Sequence, residues 1–217
     1  MRDHILASVI DAVRRSVVQR APFVHAYLEQ VWPAEVYARL MAALPPASRY
    51  RDDGRSCRQV LPLHDETMVE ALWAMVRDVL TSTELHSAVC AHFDLRARHA
   101  DGRPVSAARP VLVRDLPGYW IEPHPDSRAK HITMQCYLAA DMSQHTLGTM
   151  LYQLRPFRPA AWIGRAPFML PVHRFPFTPN SGYIFPVRWN SFHGVERLAP
   201  DAGVRQTLMN TYYWTDR

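Results

Sequence analysis

The spacing of apolar residues divides the chain into two textures. In DHILASVIDAVRRSVVQR, residues Ile5, Leu6, Val9, Ile10, Val13 and Val17 recur at the intervals of one helix face. A break at Ala21-Pro22 precedes FVHAYLEQ and PAEVYARLMAAL, which continue the helical reading up to Pro45-Pro46. The polar stretch 47–58 (ASRYRDDGRSCR) reads as an exposed loop, and helical spacing returns over 67–80 and 84–93. Residues 1–97 are thus expected to form a helical scaffold packed on the C-terminal half of the chain.

From residue 110 the pattern changes to short runs of period two, separated by Pro, Gly, Asp and Asn. VLVRDL, GYWIEPH, HITMQCYLA, TMLYQLR, GYIFPVRW, SFHGVERL and VRQTLMNTYYW all read as strands. So many short strands without long intervening helices predict an antiparallel sandwich or jelly roll over 98–217. The chain as a whole reads as mainly β with N-terminal helices (α+β) in one structural domain. The Pro-rich stretch 155–179 is too apolar for a disordered linker and reads as a long ordered loop or irregular strand pair, the kind of element that covers a pocket.

Composition narrows the function classes. A chain of 217 residues with 48% hydrophobic residues buries a sizeable core. No apolar run reaches the roughly 18–20 residues of a membrane span. Asp3 and Asp11 interrupt any signal-peptide core, so a cytoplasmic setting is expected. Cys57, Cys90 and Cys136 are too few and scattered for a disulfide framework and read as reduced thiols. The net charge of +5 comes from Arg spread along the chain, Lys130 being the single lysine, which argues against a nucleic-acid patch.

The sharpest chemical feature is His124-Pro125-Asp126 at the end of a strand run. Residues i and i+2 of extended backbone share a face, so His124 and Asp126 can grip one ion, and Pro125 stiffens the bite. His193 in SFHGVERL supplies a second imidazole. Two His and one carboxylate make the facial set of non-haem Fe(II) oxygenases, which leaves coordination positions open. Zinc fits the same ligands, but neither an H-E-x-x-H helix nor a Cys pair supports it.

The order His124-x-Asp126, His193, Arg205 across a β-rich half resembles the Fe(II)/2-oxoglutarate-dependent dioxygenases. The likeness is closest to the prolyl-hydroxylase-like branch and its small bacterial members, with Lys130, Thr133 and Tyr137-Leu138 following the HxD as in that branch. It spans residues 110–215 and implies a double-stranded β-helix (cupin-like jelly roll). It further implies Fe(II) on His124, Asp126 and His193, with 2-oxoglutarate and O2 as cosubstrates. Arg205 would pair with the distal carboxylate of 2-oxoglutarate, a match of guanidinium fork to carboxylate. Tyr137, Thr207 and Thr133 would support that end.

The expected reaction is hydroxylation of an unactivated C–H bond of a small molecule, in natural-product or other specialised metabolism. A peptidyl side chain, or desaturation, epoxidation or ring closure by the same site, is the alternative. Asp126 argues against halogenation, and Thr211, where nucleic-acid demethylases carry a second Arg, argues against that branch. A non-catalytic cupin-like module has no reason to keep the ligands and Arg205 together. Arg114, His145, Trp162 and Arg188 are candidate substrate residues. Residues 140–178, with Trp162, Phe168, Met169, His173 and Phe175, are expected to form most of the pocket and its cover.

Overall fold

Strand alternation lets one sheet serve two cores at once. In the strand Lys130–Tyr137, Ile132, Met134 and Cys136 face a cluster built with the helices, while Thr133, Gln135 and Tyr137 face the other way. The computed structural model describes residues 1–64, 70–154 and 169–215. Its helices are α1 (Arg2–Arg15), α2 (Ala34–Ala42), α3 (Ala71–Leu80) and α4 (Thr83–His92). Its strands are β1 (Ala26–Glu29), β2 (Arg51–Asp52), β3 (Arg58–Pro62), β4 (Ser106–Asp115), β5 (Ile121–His124), β6 (Lys130–Tyr137), β7 (Met150–Leu154), β8 (Met169–Arg174), β9 (Ser181–Pro186), β10 (His193–Val195) and β11 (Arg205–Trp214).

The strands make two antiparallel sheets. The larger has the order β1-β9-β6-β11-β4-β3-β2 and the smaller β5-β10-β7-β8. The helices cover one face of the large sheet, where Ile5, Val9, Trp73 and Val76 pack with Leu112, Met134 and Leu208. The opposite face carries Tyr137, Tyr183 and Phe185, packed with Leu151 of the small sheet. The long strands β4, β6 and β11 lie side by side at the centre of this arrangement. The mainly β, antiparallel architecture with added helices agrees with the sequence reading.

The N-terminal stretch departs from it. FVHAYLEQ is not a helix: Ala26–Glu29 pairs with β9 as an edge strand. Ala26 and Leu28 enter the helical core, whereas Phe23 and His25 meet the rings of Phe185 and Phe175. Ala26 and Leu28 are buried whereas Tyr27 is half-buried and Glu29 exposed, but four alternating residues are too few to tell a strand from a helix by period. The polar stretch 47–58 likewise yields β2 and delivers Arg58 into β3, buried to 8% exposure. Residues 1–97 therefore contribute three strands to the large sheet as well as the helices. Trp162 and Phe168 lie outside the described residues.

Candidate metal centre and its cavity

His124 closes β5 and His193 opens β10, and the two are direct cross-strand partners with ring centroids 4.6 Å apart. Each imidazole uses Nδ1 as a donor, His124 to the Glu122 carbonyl and His193 to the Ser191 carbonyl, both at 2.9 Å. A carbonyl only accepts, so Nδ1 carries the hydrogen and Nε2 keeps a free lone pair. Such second-atom anchoring is how metal-binding imidazoles are oriented. Asp126 follows two residues after His124, with an oxygen 3.9 Å from His193 Nε2. The candidate ligand atoms of all three lie within 4.8 Å of one another. This donor set, two neutral nitrogens and one carboxylate with the remaining directions free, fits a divalent non-haem iron.

The carboxylate is held from behind. Lys130 Nζ donates to Asp126 Oδ1 and Thr133 Oγ1 to Oδ2, both at 2.6 Å. Burial pushes the Asp126 carboxyl up, but His193, Lys130 and the Thr133 hydrogen bond outweigh it and bring the value down to about 2. His193 moves down to about 4, chiefly by burial and against the pull of Asp126. Both groups are therefore in their metal-binding protonation states at neutral pH.

The three residues line a cavity of about 310 Å³ between the sheets. At its other end the large sheet sets three charged residues side by side. Asp115 of β4 is the register partner of Arg205 on one side and Arg58 on the other. Arg58 grips the Asp115 carboxylate with Nε at 2.6 Å and Nη2 at 3.2 Å, and Arg205 Nη1 reaches it at 2.7 Å. Arg205, fully buried, also donates to the Leu147 carbonyl and to Thr149 Oγ1. Its guanidinium lies 5.5 Å from the centre of the Tyr137 ring, whose hydroxyl accepts the Thr149 N–H. Thr207 Oγ1 accepts from Gln135 Nε2, and Gln135 in turn accepts from the Tyr183 hydroxyl.

Arg205, Tyr137, Thr207 and Thr133 thus gather around the same face as the His–Asp–His set. Of the candidate substrate residues, Arg114, His145 and Arg188 do not. Arg114 hydrogen-bonds Gln59 and lies 5.3 Å from the Tyr50 ring, on the opposite face of β4 from Val113, which lines the cavity. His145 is exposed on a short 3-10 helix (Met142–Leu147) and Arg188 is exposed before β10. Alternation explains the first: Arg114 and Asp115 necessarily point to opposite faces, and Asp115 takes the inner one. Sequence reasoning passed over Arg58, Asp115, Tyr119, Gln135 and Tyr183. Gln135 was legible, because it shares the period-two face of Thr133 and Tyr137.

A second group of potential ligands, His86, Cys90 and His131, is buried between the large sheet and α4. There the Ser106 hydroxyl already bridges the two imidazoles at 2.9 Å from each.

No family model matches the chain, and no curated protein matches it by sequence. Solved structures do. A prolyl-4-hydroxylase of Pseudomonas putida superposes with a TM-score of 0.61 at 14% identity, over 97% of this chain and 99% of that one. The chain has the fold of the 2-oxoglutarate/Fe(II) oxygenases. An oxidoreductase of the 2OG-Fe(II) oxygenase family from Burkholderia pseudomallei gives 0.54 at 15% identity, over 96% of this chain and 89% of that one. HygX of Streptomyces hygroscopicus, solved with nickel, 2-oxoglutarate and hygromycin B, gives 0.57 at 12% identity over 88% and 83% of the two chains. Within the described residues, no helix of this oxygenase-like fold is long and apolar enough to cross a membrane.

Proposed function

We propose that this protein is an Fe(II)- and 2-oxoglutarate-dependent oxygenase that hydroxylates an unactivated C–H bond of a small molecule. The observation that carries this reading is the pair of imidazoles, each pinned through Nδ1 so that Nε2 faces Asp126 in one cavity. In this reading the two sheets are the walls of a double-stranded β-helix. His124, Asp126 and His193 would hold the iron, which with 2-oxoglutarate and O2 supplies the oxidising power for C–H cleavage. Lys130 and Thr133 fix the Asp126 carboxylate and keep it anionic. Arg205 would hold the distal carboxylate of 2-oxoglutarate, itself fixed by Asp115, Leu147 and Thr149. Tyr137 accepts the Thr149 N–H and so keeps its own proton to donate to that carboxylate. Buried aromatics from both sheets, Tyr183 and Phe185 among them, keep water from the reacting end.

A small molecule is preferred because the cavity is compact and HygX, of the same fold, holds hygromycin B. The likeness to a prolyl-4-hydroxylase along almost its whole length supports a peptidyl substrate as the second reading. Screening metabolites, amino acids and proline-containing peptides for substrate-stimulated succinate formation separates the two. Stimulation by a peptide, with none by any small molecule, would select the second.

A further inference from the structure

A second donor set lies on the other face of the large sheet, against the helices. α4 carries His86 and Cys90 four residues apart, hence one above the other on its buried face. β4 opens with Ser106, whose side chain shares the helix-facing side of Leu112. β6 supplies His131, although strict alternation would send it into the cavity with Thr133 and Gln135. The register slips there: Tyr212 of β11 faces Ile132 but Tyr213 faces Lys130, so His131 is an extra residue. Such a bulge re-aims a side chain, and here it turns the imidazole towards α4. Cys90 Sγ lies 3.5 Å from His86 Nε2, and the Ser106 hydroxyl lies 2.9 Å from both that nitrogen and His131 Nδ1. All four residues are at most 5% exposed. The candidate ligand atoms of His86, Cys90 and His131 fall within 4.8 Å of one another.

Hydrogen bonding alone does not satisfy this arrangement. His86 Nε2 has either one lone pair or one hydrogen, yet Ser106 and Cys90 both face it. Cys90 has no other hydrogen-bond partner among the described residues, so its thiol is left over whichever tautomer holds. A cation resolves the count, because it takes a lone pair from every donor at once. From this we infer that His86 Nε2, His131 Nδ1 and Cys90 Sγ form a structural zinc site, with the Ser106 hydroxyl at the fourth corner. Thiolate combined with imidazole is a donor set that suits zinc. With bonds of about 2.0–2.3 Å, ligand atoms around tetrahedral zinc stand roughly 3.3–3.8 Å apart. The Cys90–His86 pair is at that spacing, and no other pair of the three need close by more than about one ångström. Cys90 gives its proton to solvent as sulfur bonds the ion. A cavity of about 280 Å³, lined by His86, Ser106 and Tyr212, is the entry path. The ion would tie α4 to β4 and β6, and the inference does not rest on the oxygenase reading.

The test uses the whole chain, stripped of metal and titrated with Co(II), which takes zinc's ligands and is coloured where zinc is silent. Wild type should develop a near-ultraviolet sulfur-to-cobalt charge-transfer band, and Zn(II) should bleach it. Cys90→Ser, which changes one atom, should remove the band, whereas Cys57→Ser should keep it. His86→Gln should weaken the Co(II) binding read from that band by at least about tenfold. Circular dichroism checks that each variant is folded. His193→Ala should keep the band while lowering the total Co(II) bound by one equivalent, because the His124–Asp126–His193 centre holds no sulfur. Zn(II) should raise the urea midpoint of His193→Ala, and leave that of the His193→Ala, Cys90→Ser double variant unmoved. Absence of the band from folded wild type, or its survival in Cys90→Ser, would overturn the inference. Total Co(II) unchanged by His193→Ala, with the band intact, would instead count against the oxygenase reading alone.

Discussion

At the scale of single residues, the site separates groups that would touch the iron from groups that set their charge. His124→Ala, Asp126→Ala and His193→Ala should each abolish turnover while the protein stays folded, checked by circular dichroism beside a succinate assay; full activity in any of them at ordinary iron concentration would remove that residue from the ligand set. On the proposed function, Arg205→Ala would leave a buried carboxylate of the cosubstrate unpaired, a loss of roughly 2–5 kcal/mol. The apparent 2-oxoglutarate requirement should therefore rise by about 30-fold to a few thousandfold. Asp115 has a different task. Asp115→Asn strands two buried guanidiniums, Arg58 and Arg205, without their shared counter-charge. The expected cost is about 3–5 kcal/mol in urea denaturation, and a midpoint like that of wild type would show that water or a bound anion already compensates them.

At the scale of elements, the candidate ligands His124 and His193 depend on how closely β10 approaches β5. A Cβ on Gly194, next to His193, would fall 2.6 Å from the Ile121 carbonyl oxygen of β5, a backbone contact that cannot rotate away. Gly194→Ala should push the strands apart, part His193 from His124, and weaken metal binding by at least about tenfold, since ligand placement tolerates only a few tenths of an ångström. Metal affinity measured by competition with a chelator reads this directly, and an unchanged value would mean the strand shift is absorbed elsewhere. The elements of the β half were legible because each strand alternates between two different cores. β1 was not, since its four residues are too few to fix a period, and neither was the inward turn of Arg58. A charged residue in a polar stretch looks like surface until its partner is known, and Asp115 lies 57 residues away in sequence. The His–Asp–His set was legible because His124 and Asp126 stand two residues apart at the end of a strand run, although Asp126 itself falls just past β5. Arg114 was misplaced by one residue of the same alternation.

At the scale of the whole molecule, the buried histidines tie folding to pH. His131 is pushed down to about 4, first by burial and then by His86, whose own value burial also lowers. Its ring stacks on Trp214 at 3.9 Å, between the sheet and the helices. The unfolded chain takes up protons on such residues near pH 6.5, while the folded protein does not until well below that. Stability is therefore complete at neutral pH and falls as pH drops from about 6.5 towards 4. Denaturation midpoints at pH 7 and pH 5 should differ, and His131→Gln should flatten that difference. Equal slopes in the variant and wild type would place the acid sensitivity elsewhere. The proposed function, in turn, requires the cavity between the sheets to hold Fe(II) and 2-oxoglutarate together, with the metal on His124, Asp126 and His193. Anaerobic addition of Fe(II) and then 2-oxoglutarate tests this most directly. A weak visible charge-transfer band should appear in wild type and vanish in His193→Ala; its absence from wild type, or its survival in the variant, would contradict the claim.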